Sequence, residues 1–531
     1  MLRQKINAII CLFSSSFLLL SLSLLSLPSY SAPPAITFPI QHFTVEGELP
    51  IPKSTVDALL ASFADKEYGL ADLQAVSKQV ESLIRDAGYS FYRVVLPPQS
   101  LADGTVHFNV VSFALGDVDI KGSHYYDEVN LFASLPELQF DLSPNTKTLA
   151  KQIKVANHHI GKEVSVIFKQ SEEADKVSAK IDVIEQKPYN FSLLANNSGS
   201  DDSGNARITA AFQHSNLWNK DHSINLSYTT SPNHTNEVQQ YGVSYSAPLY
   251  HLGGWLSGYY AKTEIDTGQI ALGDGTGLDV SGAGEMYGLH YLHFFDKRGN
   301  YEHQLDVGID NRLFDNEAVL SDAFGSSGDI SPDVRSTPLT LNYKGNIALP
   351  SVYIGHHISW SKNIGLGSLN DDAHYDESRF NAKQDWDLFR YGAFINLDNN
   401  GWLYRASLKG QYSDEPLISG EQFGLGGAYS VRGYEEREVS SDVGHSLSVE
   451  AFTPQWNNAK LLAFYDYGLS RSHDALAGEK DRWHLASAGI GLRWQWQANL
   501  QVSIDLAHTL RKGVSTSDNH NHAHANIVLQ Y

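Results

Sequence analysis

Two short stretches near the C-terminal end put charge where charge is unusual. "SVRGYEER", residues 430–437, holds Arg432 between Val431 and the pair Gly433-Tyr434, in a Gly-rich segment. "AFYDYG", residues 463–468, puts Asp466 in phase with Phe464 and Gly468 if the stretch is a strand. A lone guanidinium in a desolvated site is costly and needs an acidic partner. Arg432 and Asp466 can supply a bidentate, charge-assisted pair, with Gly433 allowing close backbone approach and Tyr434 packing beside it. The chemistry expected of these residues is anchoring.

Other clusters carry less. His520, His522 and His524 in "DNHNHAH" fall on one face at strand spacing, as a metal clamp would need. Counted back from Tyr531 they face away from Ile527 and Leu529, which suits a polar rim of a lumen or loop. Asp371, Asp372, Asp376 and Glu377 lack EF-hand spacing and read as a solvated loop. The chain has no Walker A lysine motif, HExxH or GxSxG, so no catalytic residue, cofactor site or metal site is assigned.

The elements around these residues follow from composition and periodicity. Arg3 and Lys5, the apolar run Ile9 to Leu27, and Ser29-Tyr30-Ser31 read as an export signal over residues 1–31. The formal charge is −21, and removing two basic residues with the signal takes it to −23. A nucleic-acid partner is excluded on this balance. Cys11, the one cysteine, lies in the signal, so disulfides and thiol catalysis are excluded from the exported chain. The chain has 27 Tyr, 9 Trp, 23 Phe and 42 Gly with only 19% charged residues, which suits a large β-protein or an outer-membrane barrel.

From Phe38 to Glu185 the order β-α-α-β-β occurs twice. Val56, Leu59, Leu60 and Phe63, then Leu73, Val76, Val80, Leu83 and Ile84, recur at helical spacing in the first pass, and Gly88 is a C-cap. The second pass predicts helices over 126–133 and 146–160. The units are set at 32–113 and 114–187. From 188 to 531 alternating strands take over. In "WLYRASLKGQY" Trp402, Tyr404, Ala406, Leu408 and Tyr412 point one way and Arg405, Ser407, Lys409 and Gln411 the other. The hairpin at 491–510 repeats this, with Asp505 on its polar face. A soluble sandwich gives the same alternation. The final strand "ANIVLQY", with Ile527, Leu529 and Tyr531 on one face, resembles an outer-membrane sorting strand. Segment 413–445 is far longer than a hairpin needs, so it is functional or disordered.

The repeated units resemble POTRA domains, and nearly the whole exported chain is similar to TpsB transporters of two-partner secretion, in the Omp85 superfamily. The resemblance rests on "FGLGGAYSVRGYEER" (423–437), "FYDYG" (464–468), "LLANNSGSDDSG" and "SYSAPL" (244–249). It implies two β-α-α-β-β POTRA domains followed by an antiparallel transmembrane β-barrel of about sixteen strands, with loop 413–445 folded inward. It implies that the Arg432–Asp466 pair holds that loop inside the pore.

The function implied is export of a dedicated, large, β-rich exoprotein across the bacterial outer membrane, with the POTRA domains in the periplasm and no enzymatic step. Its partners would be that exoprotein, outer-membrane lipids and the barrel assembly machinery, around a monomeric barrel. Tyr89, Phe91, Val95 and Phe108 are candidate substrate-docking residues, on strands closing the first unit. Ala32 to Ile40 is too short and proline-rich for the plug helix that family members often carry. An assembly factor of the same superfamily, a passive porin and a soluble secreted adhesin are the alternatives.

Overall fold

The computed structural model describes residues 36–531 apart from 200–203, 264–266, 274–275, 282, 316–318, 322–326, 330–332 and 476–479. The predicted signal, 1–31, lies outside the described residues, as does part of the "LLANNSGSDDSG" stretch. Two compact units are present, one built mainly from the first POTRA-like module and one containing the second module and the barrel.

In the first module the strand His42–Glu46 runs parallel to Thr105–Ser112, which is flanked on its other side by Tyr92–Val95. Helices Lys53–Ala61 and Leu70–Asp86 bury Val56, Leu60, Leu73, Val76, Val80 and Ile84, the apolar stripe predicted by spacing. Gly88 takes φ +104°, as a left-handed helix end requires. A small sheet, Phe38–Ile40 with Lys66–Tyr68, was not foreseen; its three-residue strands are too short to show alternation. Thr105–Ser112 is the middle strand, and Phe108 on it is fully buried and stacked on Phe43 at 5.9 Å. Phe108 is therefore a core residue, which corrects its assignment to substrate docking. Val95 is exposed on an edge strand, and Tyr89 and Phe91 are half-buried.

The second module repeats the plan. Ala114–Lys121 and Lys162–Gln170 flank Lys176–Glu185. Helices Glu128–Ser134 and Thr146–Ala156 contribute Leu131, Leu149 and Ala156 to a core with Leu115, Tyr126, Val164 and Ile181. The second helix stops at Ala156, four residues before the predicted end, and Asn157 instead bonds Val164 through its side chain.

Residues 189–530 form a closed antiparallel barrel of sixteen strands, counting Val334–Ser336 and Pro338–Ala348 as one. The seventh strand is Tyr301–Asp315, the tenth Asp387–Asn399, the twelfth Val443–Phe452, the thirteenth Ala459–Arg471, the fifteenth Leu500–Thr509 and the sixteenth Asn521–Gln530. Alternation sorts the faces as expected, with Trp402, Tyr404, Leu408 and Tyr412 exposed to the outside and Gln411 buried within. The last strand pairs with the first, Tyr189–Asn196, from Asn526↔Asn196 to Gln530↔Ser192. Tyr531 and Phe191 exchange backbone hydrogen bonds of 2.8 and 3.0 Å beyond them. Among the described residues no helix is long and apolar enough to cross a membrane; the barrel strands do so.

Candidate functional site

Segment 413–445 leaves the eleventh strand, Trp402–Tyr412, turns into the lumen through a short hairpin of Phe423–Leu425 with Val439–Ser441, and returns to the twelfth. Its tip carries Arg432, which is 95% buried as a residue. Arg432 Nε donates to Asp466 Oδ2 at 2.7 Å and Nη2 to Oδ1 at 2.9 Å, the bidentate geometry of a strong charge-assisted pair. The backbone N–H of Arg432 adds a third bond to Asp466 Oδ2 at 3.2 Å. Asp466 is fully buried on the inner face of the thirteenth strand, between Phe464 and Gly468.

The structure adds partners that spacing alone did not supply. Arg432 Nη1 reaches Glu450 at 2.9 Å and Asp505 at 3.4 Å, and Nη2 reaches the Ser448 hydroxyl at 3.3 Å. The guanidinium carbon lies 3.5 Å from the centre of the Phe464 ring, a cation–π contact. Three carboxylates from three strands thus meet one guanidinium. Glu450 was legible as inward-facing, because Ser446, Ser448 and Glu450 alternate with Leu447, Val449 and Ala451. Asp505 was already on the polar face of its hairpin.

The neighbours of Arg432 are fixed too. Gly433, at φ +95°, donates its N–H to His524 Nε2 at 2.9 Å. His524 is buried against the loop, while the His522 ring lies tilted beside it at 4.6 Å between ring centres. The Tyr434 hydroxyl lies 2.9 Å from the Ala486 carbonyl and 2.6 Å from that of Arg511. Val431 and Tyr434 pack with Leu425, Val439 and Leu485. A Cβ on Gly468 would lie 2.9 Å from both Leu425 and Val431, so glycine there gives the loop room to dock. Of the acidic cluster, Asp371 caps the helix Asp372–Ser378 through the N–H groups of Ala373 and His374.

At the other end of the second unit, the module and barrel are bolted together. Lys162 Nζ lies 2.7 Å from Asp221, in the turn after the second barrel strand, and 2.6 Å from Asn130, with both charges essentially excluded from solvent. Tyr250 donates to the same carboxylate. Trp255 Nε1 donates to the Val155 carbonyl at 2.9 Å, and His158 packs against Trp255 and Phe294. Burial pushes the Lys162 ammonium below its ordinary range, opposed by the Asp221 charge.

A sixteen-stranded barrel with POTRA-type modules before it and a charged loop pinned in its lumen is the architecture of an outer-membrane β-barrel transporter. The sequence model of the haemolysin secretion/activation protein family, ShlB/FhaC/HecB, matches residues 178–494, and that of the ShlB-type POTRA domain matches 38–112. The chain belongs to this family, whose members are outer-membrane transporters that secrete partner exoproteins. It is 20% identical to the heme/hemopexin transporter protein HuxB of Haemophilus influenzae (strain 86-028NP), over 87% of this chain and 81% of that protein. It is 21% identical to the outer membrane transporter CdiB of Escherichia coli O6:K15:H31, over 78% and 68%. The solved structure of CdiB from Escherichia coli superposes with a TM-score of 0.71 at 15% identity, covering 95% of this chain and 92% of that one. CdiB from Acinetobacter baumannii gives 0.68.

Proposed function

We propose that this chain exports one dedicated, β-rich exoprotein, and that Arg432 is the residue that holds the closed pore shut by fixing loop 413–445 in the lumen. The observation carrying this reading is the convergence of Asp466, Glu450 and Asp505 on one loop guanidinium. A diffusion porin has no need of such an anchor, or of POTRA modules. The exoprotein reaches the barrel unfolded and adds a strand to an exposed POTRA edge, with Tyr92–Val95 and its exposed Val95 as the candidate in the first module, near Tyr89 and Phe91. Folding outside the cell gives export its direction, so no catalytic step is involved.

The barrel works as a monomer with lipid around its apolar outer face. The barrel assembly machinery inserts it through the terminal strand, where Ile527, Leu529 and Tyr531 point outward. Because the strand number is even, both ends of the barrel strand series are periplasmic. The test is to seek a large exported β-rich protein in a neighbouring reading frame, co-express it with this chain and assay the culture medium for it. Deleting 38–112 is expected to abolish release while a heat-modifiable barrel remains in the membrane; undiminished release refutes the docking role. Digestion of the POTRA region by protease on intact cells refutes the topology.

A further inference from the structure

The inward loop carries a second buried charge, of opposite sign. Glu421, on the limb entering the lumen, is fully buried. Arg312 Nη1 donates to both its carboxylate oxygens at 3.0 Å, the Ser336 hydroxyl to Oε1 at 2.7 Å, and Arg390 Nη2 approaches Oε2 at 3.4 Å. The Glu421 carbonyl accepts from Gln411 Nε2 at 2.9 Å. Arg312 is itself held from behind by Asp310 at 2.9 Å, which also takes His290 and Tyr259. A carboxylate clasped by two arginines and a hydroxyl is a built site for that one loop residue.

The two anchors lie on different arcs of the wall. Arg432 is held from the twelfth, thirteenth and fifteenth strands, whereas Glu421 is held from the seventh, eighth and tenth. The arcs do not overlap, and the eleventh strand, from which the loop leaves, lies between them. The loop therefore stands on two feet, a cationic one on an acidic wall and an anionic one on a basic wall.

Both feet are buried, and it is their wall partners that differ. The side chains of Asp466, Glu450 and Asp505 are 0%, 11% and 11% exposed, against 16% and 35% for Arg312 and Arg390. Water reaches the basic wall, so its pairing is the more screened and the more easily released. The Arg432 foot is further tied by Gly433 to His524 and by Tyr434 to Ala486 and Arg511.

We infer that Glu421 is a second, independent positioning residue for this loop, and that the pore opens by releasing the Glu421 foot while the Arg432 foot stays as hinge. Its regulatory meaning rests on the export reading above, but the geometry can be tested without any exported protein. The full chain is purified and its conductance measured in planar bilayers in potassium chloride. In a second preparation Gly433→Cys with Ser487→Cys reports on the hinge: a Cβ on Gly433 would lie 3.7 Å from that of Ser487, within disulfide reach, and because φ +95° strains any side chain there, the yield is read against the same pair in the otherwise parental chain.

Glu421→Ala is expected to raise conductance about tenfold, the equivalent of one lost charge-assisted clasp. The Gly433–Ser487 cross-link should form at parental yield in that background, and Glu421→Asp should restore part of the closure. Unchanged conductance overturns the inference, and so does loss of the cross-link together with the rise, because the loop would then leave as one body. If Glu421→Ala yields no heat-modifiable barrel, Arg390→Gln takes its place. It leaves Arg312 and Ser336 on the carboxylate and should raise conductance in the same direction by less; no rise overturns the inference equally.

Discussion

The guanidinium carbon of Arg432 sits 3.5 Å from the centre of the Phe464 ring while the same side chain grips Asp466, two residues further along the same strand. One side chain of the loop thus engages two successive inward positions of the thirteenth strand, an aromatic face and a carboxylate. The contact fixes the loop's height in the barrel as well as its angular position.

The three acids make the single substitutions unequal. Asp466→Ala leaves Arg432 with Glu450 at 2.9 Å, whereas Arg432→Ala leaves the fully buried Asp466 without a cation, while Asp505 keeps Arg493 at 2.7 Å and Glu450 keeps Arg405 at 3.6 Å. Arg432→Ala is expected to cost about 3–5 kcal/mol and Asp466→Ala less, with the double variant milder than Arg432→Ala alone. Export assays and the thermal transition of the heat-modifiable barrel measure both. Strictly additive losses count against the pairing.

Gly468→Val should push the loop out while leaving strand pairing intact, because Leu425 and Val431 already approach to 2.9 Å of the missing Cβ. Overpacking of this kind costs about 1–3 kcal/mol. The expected result is faster proteolysis within 413–445 on a barrel that still migrates as folded.

Lys162→Ala strands Asp221 in a site closed to solvent and is expected to cost about 3–5 kcal/mol of docking. Limited proteolysis should then cut residues 114–187 faster, with the barrel resistant. Lys162→Met combined with Asp221→Asn removes both charges and should recover much of the resistance.

Docking of the second module should also weaken in acid. Burial lowers the His158 pKa from 6.5 to about 4, aided by the Lys344 and His159 charges. The undocked imidazole binds its proton near pH 6.5 and the docked one only near 4, so the undocked state takes up more protons between those values. Stability of the interface is full above pH 6.5 and falls as pH drops towards 4, by less than the shift alone would give, because His158 keeps part of its surface in solvent. Proteolysis of 114–187 measured between pH 7 and 4.5 should accelerate, and His158→Phe should flatten the profile.

Much of this arrangement is visible in the chain itself. Barrel strands show through alternation, as at Trp402 to Tyr412, with their number set only at about sixteen, and the first POTRA helices show through the 3.6-residue spacing of Val56, Leu73 and Val80. Asp466 could be matched to Arg432 because one residue is in a long loop and the other on a strand's polar phase. The remaining partners were hidden for a physical reason. Glu450, Asp505 and Arg312 each lie on a polar face like many others, and only the stagger of neighbouring strands brings the two acids to Arg432 and Arg312 to Glu421. Phe108 misled because a middle strand and an edge strand have the same apolar alternation. Lys162 and Asp221 looked like ordinary surface residues, since nothing local signals that another module will cover them.

The seam between the first and last strands has a consequence for how the molecule is made. Its contacts join residues 328 positions apart, Asn197 to Ala525 among them, so closing the ring carries the largest loss of chain freedom of any pairing in the barrel. Every hairpin between neighbouring strands can form earlier. Throughout assembly the first strand therefore waits with an unpaired row of backbone donors and acceptors, a sticky edge in a crowded compartment. The newly made polypeptide needs escort until Tyr531 meets Phe191, and a chain cut short by a single strand would have no means of sealing itself.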